Sequence, residues 1–168
     1  MSKAAVLFVG NQLLQDDGIG PACAQLFRES FLIGEGVELF EVGCLTADML
    51  NYLQDYDLVV TVDALDGTRL KPGTVFKHAP EDMARLQGTA LSLHDLKLAD
   101  LFDMAQLVDI QCQGVCFGMQ AGNVEPDEFT IGLTDACMQN LPLLADSVAQ
   151  ELAERGFAIS RKQVCNGS

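Results

Sequence analysis

Two adjacent carboxylates, Asp16 and Asp17, stand in the segment Gly10-Asn11-Gln12-Leu13-Leu14-Gln15-Asp16-Asp17-Gly18-Ile19-Gly20. The segment follows an apolar run, Ala4-Ala5-Val6-Leu7-Phe8-Val9, that reads as a buried strand, and it leads into a helical pattern. A strand that ends in a glycine loop ordinarily prepares a phosphate site, because the amides of the following helix face the ligand. This loop carries two acids and no Lys or Arg. Carboxylates repel phosphate and attract a cation, so the chemistry expected here is metal-directed.

The elements that must position these acids alternate. Ile19, Ala22, Cys23, Leu26 and Phe27 fall at helical spacing. Gly34 and Gly36 interrupt the chain, and Val37-Glu38-Leu39-Phe40-Glu41-Val42 reads as a second strand. Thr46 is a candidate N-cap for a helix through Leu53. Leu58-Val59-Val60-Thr61-Val62-Asp63-Ala64 is a β-branched run and the clearest strand. Lys71-Pro72-Gly73 marks a turn, after which Thr74–Lys77 follows too closely for a helical crossover and is expected antiparallel at an edge. Leu98, Leu101, Phe102 and Ala105 form a helical stripe beginning near His94, and a strand is expected over Val108–Phe117. A last helix carries Cys137, Leu141, Leu144, Val148 and Leu152; Pro142 inside it predicts a kink or a late start, and the tail after Phe157 is expected to fray. This order predicts one α/β domain, a three-layer α/β/α sandwich. Its sheet is twisted and mostly parallel, with about five strands and one antiparallel edge.

In such sheets ligands bind outside the carboxyl ends of the strands. The first strand delivers Asn11, Asp16 and Asp17 there, the second Glu41, and the third Asp63 with Asp66 just beyond. His94 opens a helix on the same side. Two carboxylates and one imidazole, Asp17, Asp63 and His94, suit a divalent cation of borderline softness such as nickel, zinc or iron, and leave coordination positions open. Each residue also has a plainer explanation. Asp16 and Asp17 could each cap the helix, Asp63 could be held by loop amides, and His94 could be an ordinary helix-start residue. Glu41 could be an exposed rim acid and His78 a surface residue. GxGxxG, GxxxxGK[ST], HExxH and a Gly-x-Ser-x-Gly elbow are absent.

Composition narrows the class. At 168 residues the chain suits one domain, and 49% hydrophobic residues argue against disorder. A net charge of -14 argues against nucleic acid or an anionic membrane as partner. No apolar segment approaches a membrane span, and the amino terminus enters a strand without a basic, cleavable leader, which predicts the cytoplasm. The cysteines, Cys23, Cys44, Cys112, Cys116, Cys137 and Cys165, show no CxxC pair. On one strand Cys112 and Cys116 would lie about 13 Å apart, too far to share a metal or a disulfide. Core packing of reduced thiols is the expectation.

Together, Gly10-Asn11-x-Leu13-x-x-Asp16-Asp17-Gly18-x-Gly20, then Asp63-Ala64, then His94-x-Leu96 resemble the maturation endopeptidases of nickel–iron hydrogenases. Lys71-Pro72-Gly73-Thr74 and Gly132-Leu133-Thr134 extend the resemblance over nearly the whole chain. It implies a three-layer α/β/α fold and an enzyme that removes a C-terminal extension from the hydrogenase large-subunit precursor after nickel insertion. It also implies that Asp17, Asp63 and His94 contact nickel carried by the substrate, with Asp16 and Glu41 as further candidates for catalysis. The chain departs from the pattern at Glu41-Val42-Gly43-Cys44, where many relatives have an acid followed by Gly-Gly-Thr, and at Phe8, where a glycine is frequent. A monomer is expected, because no apolar stripe is left over. Two other classes are weighed beside the protease: a non-catalytic chaperone for nickel or the precursor, and a metal-dependent hydrolase of small molecules.

Overall fold

The computed structural model describes residues 2–43, 49–82 and 98–163. Its elements are β1 (Ala4–Val9), α1 (Ile19–Ser30), β2 (Phe31–Ile33), β3 (Val37–Val42), α2 (Leu50–Asp55), β4 (Leu58–Leu65), β5 (Val75–His78), α3 (Leu98–Leu107), β6 (Gln113–Gln120), α4 (Asp135–Glu154) and β7 (Ile159–Arg161). Five strands form one sheet in the order β3-β1-β4-β6-β5. β1 is parallel to β3 and to β4, and β4 is parallel to β6. β5 runs antiparallel to β6, as expected of a strand joined without a helical crossover.

β1 and β4 lie inside the sheet and are covered on both faces, which is why their sequences are apolar at nearly every position rather than alternating. Phe8, Val60, Val62 and Phe117 pack under Phe27 of α1 and Leu144 of α4. Leu7, Val59 and Cys116 face the other way, against Leu53 of α2 and Leu101 of α3. The helices thus make the outer layers of a three-layer sandwich, and every parallel strand ends on the same side.

Several expectations are corrected. The strand expected at Val108–Phe117 starts at Gln113, because α3 runs to Leu107 and Asp109 then turns the chain with φ 63°. Val108 is 59% exposed and does not join the sheet. Cys112 therefore precedes the strand that holds Cys116, and both are free thiols. α4 does not start late: it runs from Asp135 to Glu154 with Pro142 inside it. Pro142 lies on the exposed side of the helix, where a carbonyl lacking its amide partner can be hydrated. The tail is not frayed through residue 161: Ile159–Arg161 pairs antiparallel with Phe31–Ile33. Arg161 also stacks 5.0 Å from the Phe31 ring centre and pairs with Asp146. His78 is half-buried rather than a surface residue, and burial lowers its imidazole pKa. Thr46 lies outside the described residues, and so does the start of the helix expected near His94.

α4 is tied to the far edge of the sheet by a buried acid. Glu151 accepts hydrogen bonds from Lys77 Nζ of β5 and from Arg155 Nε, both at 2.7 Å. Burial works against its charge, but those two hydrogen bonds outweigh it and hold the carboxyl below its ordinary range. Glu151→Gln is expected to cost about 2 kcal/mol at neutral pH, since both cations can still reach water. A depressed carboxyl contributes stability above the unfolded pKa and loses it as pH falls through the folded one. The parent's advantage should therefore shrink below about pH 4.3. Urea melts of both proteins at neutral and acid pH check this.

Candidate active site

The site is built where β1 stops. Gly10 has φ +142°, and a Cβ placed there would lie 2.0 Å from the Asp17 carbonyl oxygen. Only glycine lets the loop fold back this tightly. Asn11 then organises the loop from both of its ends. Its backbone N–H donates to Asp17 Oδ2 at 2.9 Å, and its side-chain oxygen accepts the Leu13 N–H at 3.0 Å. A 3₁₀ turn over Gln15–Gly18 follows and runs into α1. At Gly20 a Cβ would lie 2.1 Å from the Val9 carbonyl oxygen, so the first turn of α1 lies directly on the end of β1.

The two adjacent acids have different fates. Asp16 is fully buried. Its Oδ2 accepts the N–H groups of Gly122 (2.7 Å) and Asn123 (3.0 Å) and the Thr134 hydroxyl (2.8 Å). Its Oδ1 accepts the Thr134 N–H at 2.8 Å. Thr134 is the N-cap residue of α4, and its own side chain makes no capping bond. Asp16 therefore does the capping from a distant part of the sequence and places a carboxylate at the positive end of that helix. Its lone pairs are committed to protein donors, which suits a positioning role. Asp17 is half-buried on the other side of the loop.

Asp63 stands near the carboxyl end of β4, buried, with Oδ1 accepting the Ala64 N–H at 2.8 Å. Burial holds its carboxyl well above the usual carboxylate range. The charge of Asp17 pushes the same way and more strongly than that of Asp66, while the Ala64 hydrogen bond opposes the rise. Asp17 and Asp63, forty-odd residues apart in sequence, thus share one electrostatic site. Thr61 lies two residues earlier on the same face of β4, buried, with its hydroxyl against the Cys116 thiol of β6. The wall beyond β4 is braced by Gln120, whose side-chain oxygen accepts both the N–H and the hydroxyl of Thr68.

Glu41 is an exposed rim acid. It pairs with Arg28 of α1 at 2.9 Å, the two side chains being 51% and 43% exposed, a contact worth little in energy. Asp66 is exposed beyond β4. His94 lies outside the described residues. Among the described residues, no three His, Cys, Asp or Glu side chains converge to hold a metal ion. Of the expected trio, Asp17 and Asp63 lie among the described residues. The residues the sequence reading did not connect to the site are Gly122, Asn123 and Thr134, which hold Asp16. Their one legible signal was Thr134-Asp135, a capping pattern ahead of α4.

An open parallel sheet whose acids gather in loops at the strand ends belongs to the class of α/β proteins that work at that edge. Comparison narrows the class. A family model described as hydrogenase maturation protease matches residues 21–151. The chain is 26% identical over 164 residues to the hydrogenase 2 maturation protease of Escherichia coli, covering 96% of this chain and 98% of the relative. It is 29% identical over 161 residues to the hydrogenase expression/formation protein HupM of Azotobacter chroococcum, covering 94% and 75%. Among solved structures, the hydrogenase maturating endopeptidase HybD from E. coli superposes with a TM-score of 0.83 at 24% identity, over 95% of this chain and 98% of that one. A maturation protease HycI from Thermococcus kodakarensis gives 0.67 at 22%, over 90% and 93%. These likenesses confirm the fold expected from the sequence. The chain belongs to the hydrogenase maturation protease family, and is by that membership a peptidase. Among the described residues, no helix is long and apolar enough to cross a membrane.

Proposed function

We propose that this enzyme removes the C-terminal extension of a nickel–iron hydrogenase large-subunit precursor, and that it acts only after nickel has been inserted. Nickel is then part of the substrate. What carries the proposal is membership of the hydrogenase maturation protease family, together with a buried carboxyl, Asp63, near the carboxyl end of β4, whose ionisation is opposed by burial and by the charge of Asp17. A divalent cation brought against that pair would relieve both penalties, so the pair favours a metal-bearing ligand over an empty one. His94, placed on the same side by the sequence, would complete the set. Contact with nickel would set the scissile peptide in register with the site, which turns metal occupancy into positioning. Hydrolysis then adds water across the amide: the carbonyl carbon gains oxygen, the C–N bond breaks, and the leaving amine takes a proton.

We place this step in the cytoplasm and assign it to a monomer. Cys23, Cys112, Cys116 and Cys137 are free thiols, as a reducing compartment would leave them. The acidic composition, net charge -14, supports a protein partner over nucleic acid.

The test is the intact mass of purified large-subunit precursor, nickel-loaded and nickel-free, after incubation with catalytic amounts of this protein. The expected result is loss of a C-terminal peptide from the loaded form only. Equal cleavage of both forms would sink nickel dependence. An unchanged mass with stoichiometric binding would replace the enzyme reading with a chaperone.

A further inference from the structure

We propose that the groove between α1 and the 131–138 segment seats an extended, apolar stretch of the precursor next to its scissile bond. This rests on the endopeptidase reading above and extends it to specificity. The groove has a volume of about 540 Å³, with Pro21 and Ala22 of α1 on one side and Ile131, Leu133 and Met138 on the other. That is in the range of pockets that bind a ligand of several residues' bulk.

Its wall is built from side chains that folding has left outside. Ile131 is 75% and Met138 51% exposed, although Met138 lies on the same helix as the buried Cys137 and Leu141. Phe129 and Leu13, also exposed, flank the point where this segment is joined to the acid loop. There Thr130 N–H donates to the Leu13 carbonyl and Gln15 N–H to the Thr130 carbonyl, both at 2.8 Å. Apolar side chains scattered singly over a surface need no explanation, but a gathered set rimmed by polar groups, here Gln12, Gln15, Gln25, Glu29 and the Arg28–Glu41 pair, marks a binding surface.

Continuity identifies the occupant. The groove shares Gln12, Pro21 and Glu41 with a second depression of about 470 Å³ that reaches Gly10 and Asn11. Asn11 is the residue whose N–H holds Asp17. A chain lying in the groove therefore leads to Gly10 and Asn11, at the loop that carries Asp17, where a segment adjoining the cleaved bond would lie. The backbone of this wall cannot shift independently of the acids, because Thr130 is bonded to the loop and Thr134 to Asp16.

The experiment compares the parent with Ile131→Glu, Met138→Glu and Leu143→Glu on nickel-loaded precursor. Leu143 is equally exposed on α4, at 56%, and lies outside the groove. The two groove variants are expected to lower kcat/KM by about ten-fold, through KM, as the loss of one buried apolar contact predicts. Leu143→Glu should match the parent. An unchanged KM in both groove variants would overturn the proposal. So would a parent dimer that Met138→Glu dissociates, since the groove would then be occupied by a second copy. Precursor affinity is measured alongside cleavage. If the parent binds precursor but cleaves none, the endopeptidase reading fails by itself, and docking stands or falls on whether Met138→Glu weakens that binding.

Discussion

Asp63→Asn is expected to slow precursor processing by at least about 10²-fold and, at the same time, to melt at a higher temperature than the parent at pH 7. The loss follows from the role proposed for Asp63. Asparagine keeps the carbonyl oxygen that accepts the Ala64 N–H, so the local geometry survives. It has no negative charge to meet a metal and no carboxyl to exchange a proton. The gain in stability follows from the raised pKa. The unfolded carboxyl ionises above about pH 3.9, whereas the folded one resists, because burial and the Asp17 charge disfavour its ionised form. Between the two pKa values the unfolded state releases the proton and the folded state keeps it, so this residue lowers stability as pH rises. The neutral amide carries no such penalty. The difference should be present at pH 7 and vanish below about pH 3.9. Cleavage rates by mass, with thermal melts at both pH values, check the pair of effects. Parental cleavage would remove Asp63 from the chemistry, and a lower melting temperature at pH 7 would show that its charge is compensated in the fold. With the role proposed for it, Asp63 would show the usual trade between activity and stability.

Asp16→Ala is expected to cost about 4 kcal/mol, a large share of the 5–15 kcal/mol that holds an ordinary domain together. The substitution strands three backbone N–H groups, of Gly122, Asn123 and Thr134, together with the Thr134 hydroxyl. Each hydrogen bond to a charged group is worth about 1.5–3 kcal/mol, and the four are not additive because they share two oxygens. α4 also loses the carboxylate at its amino end. Asp16→Asn should cost less: one oxygen still accepts, and the Thr134 hydroxyl can turn to accept from the new amide. Its remaining loss marks the backbone donors that an NH₂ group cannot satisfy. Chemical denaturation of the three proteins measures this order. Parental stability in Asp16→Ala would refute the positioning role. Because the same bonds fix the loop that carries Asp17, a folded Asp16→Asn should process precursor more slowly while Asp17 itself is untouched.

Much of this architecture was legible because its signals are local. The runs at residues 4–9 and 58–65 are apolar where strands are covered on both faces, residues 37–42 mix apolar and acidic positions as an edge strand does, and Gly10, Gly18 and Gly20 announce a loop that turns within a few residues. From strand order alone, Asp17 and Asp63 could be placed at one edge of the sheet, since parallel strands linked by crossovers all end on the same side. What failed lacked a local signal. β2 and β7 have three residues each, and each exists through the other, from opposite ends of the chain. The start of β6 moved because Asp109 takes a left-handed turn that the apolar residues around it do not advertise.

The amino-acid sequence by itself thus determined the fold class, the edge of the sheet to which the parallel strands bring Asp17 and Asp63, and the pair of acids in the first loop. It could not distinguish those acids. Asp16 and Asp17 are identical in type and adjacent, and both suit a helix start. Only the tertiary structure sent one inward to donors at positions 122, 123 and 134, more than one hundred residues away, and left the other half-buried, where its charge opposes the ionisation of Asp63. The reason is physical: hydrogen-bond satisfaction of a buried carboxylate is settled by which backbone amides the folded chain brings to it, and sequence spacing carries no record of partners that distant.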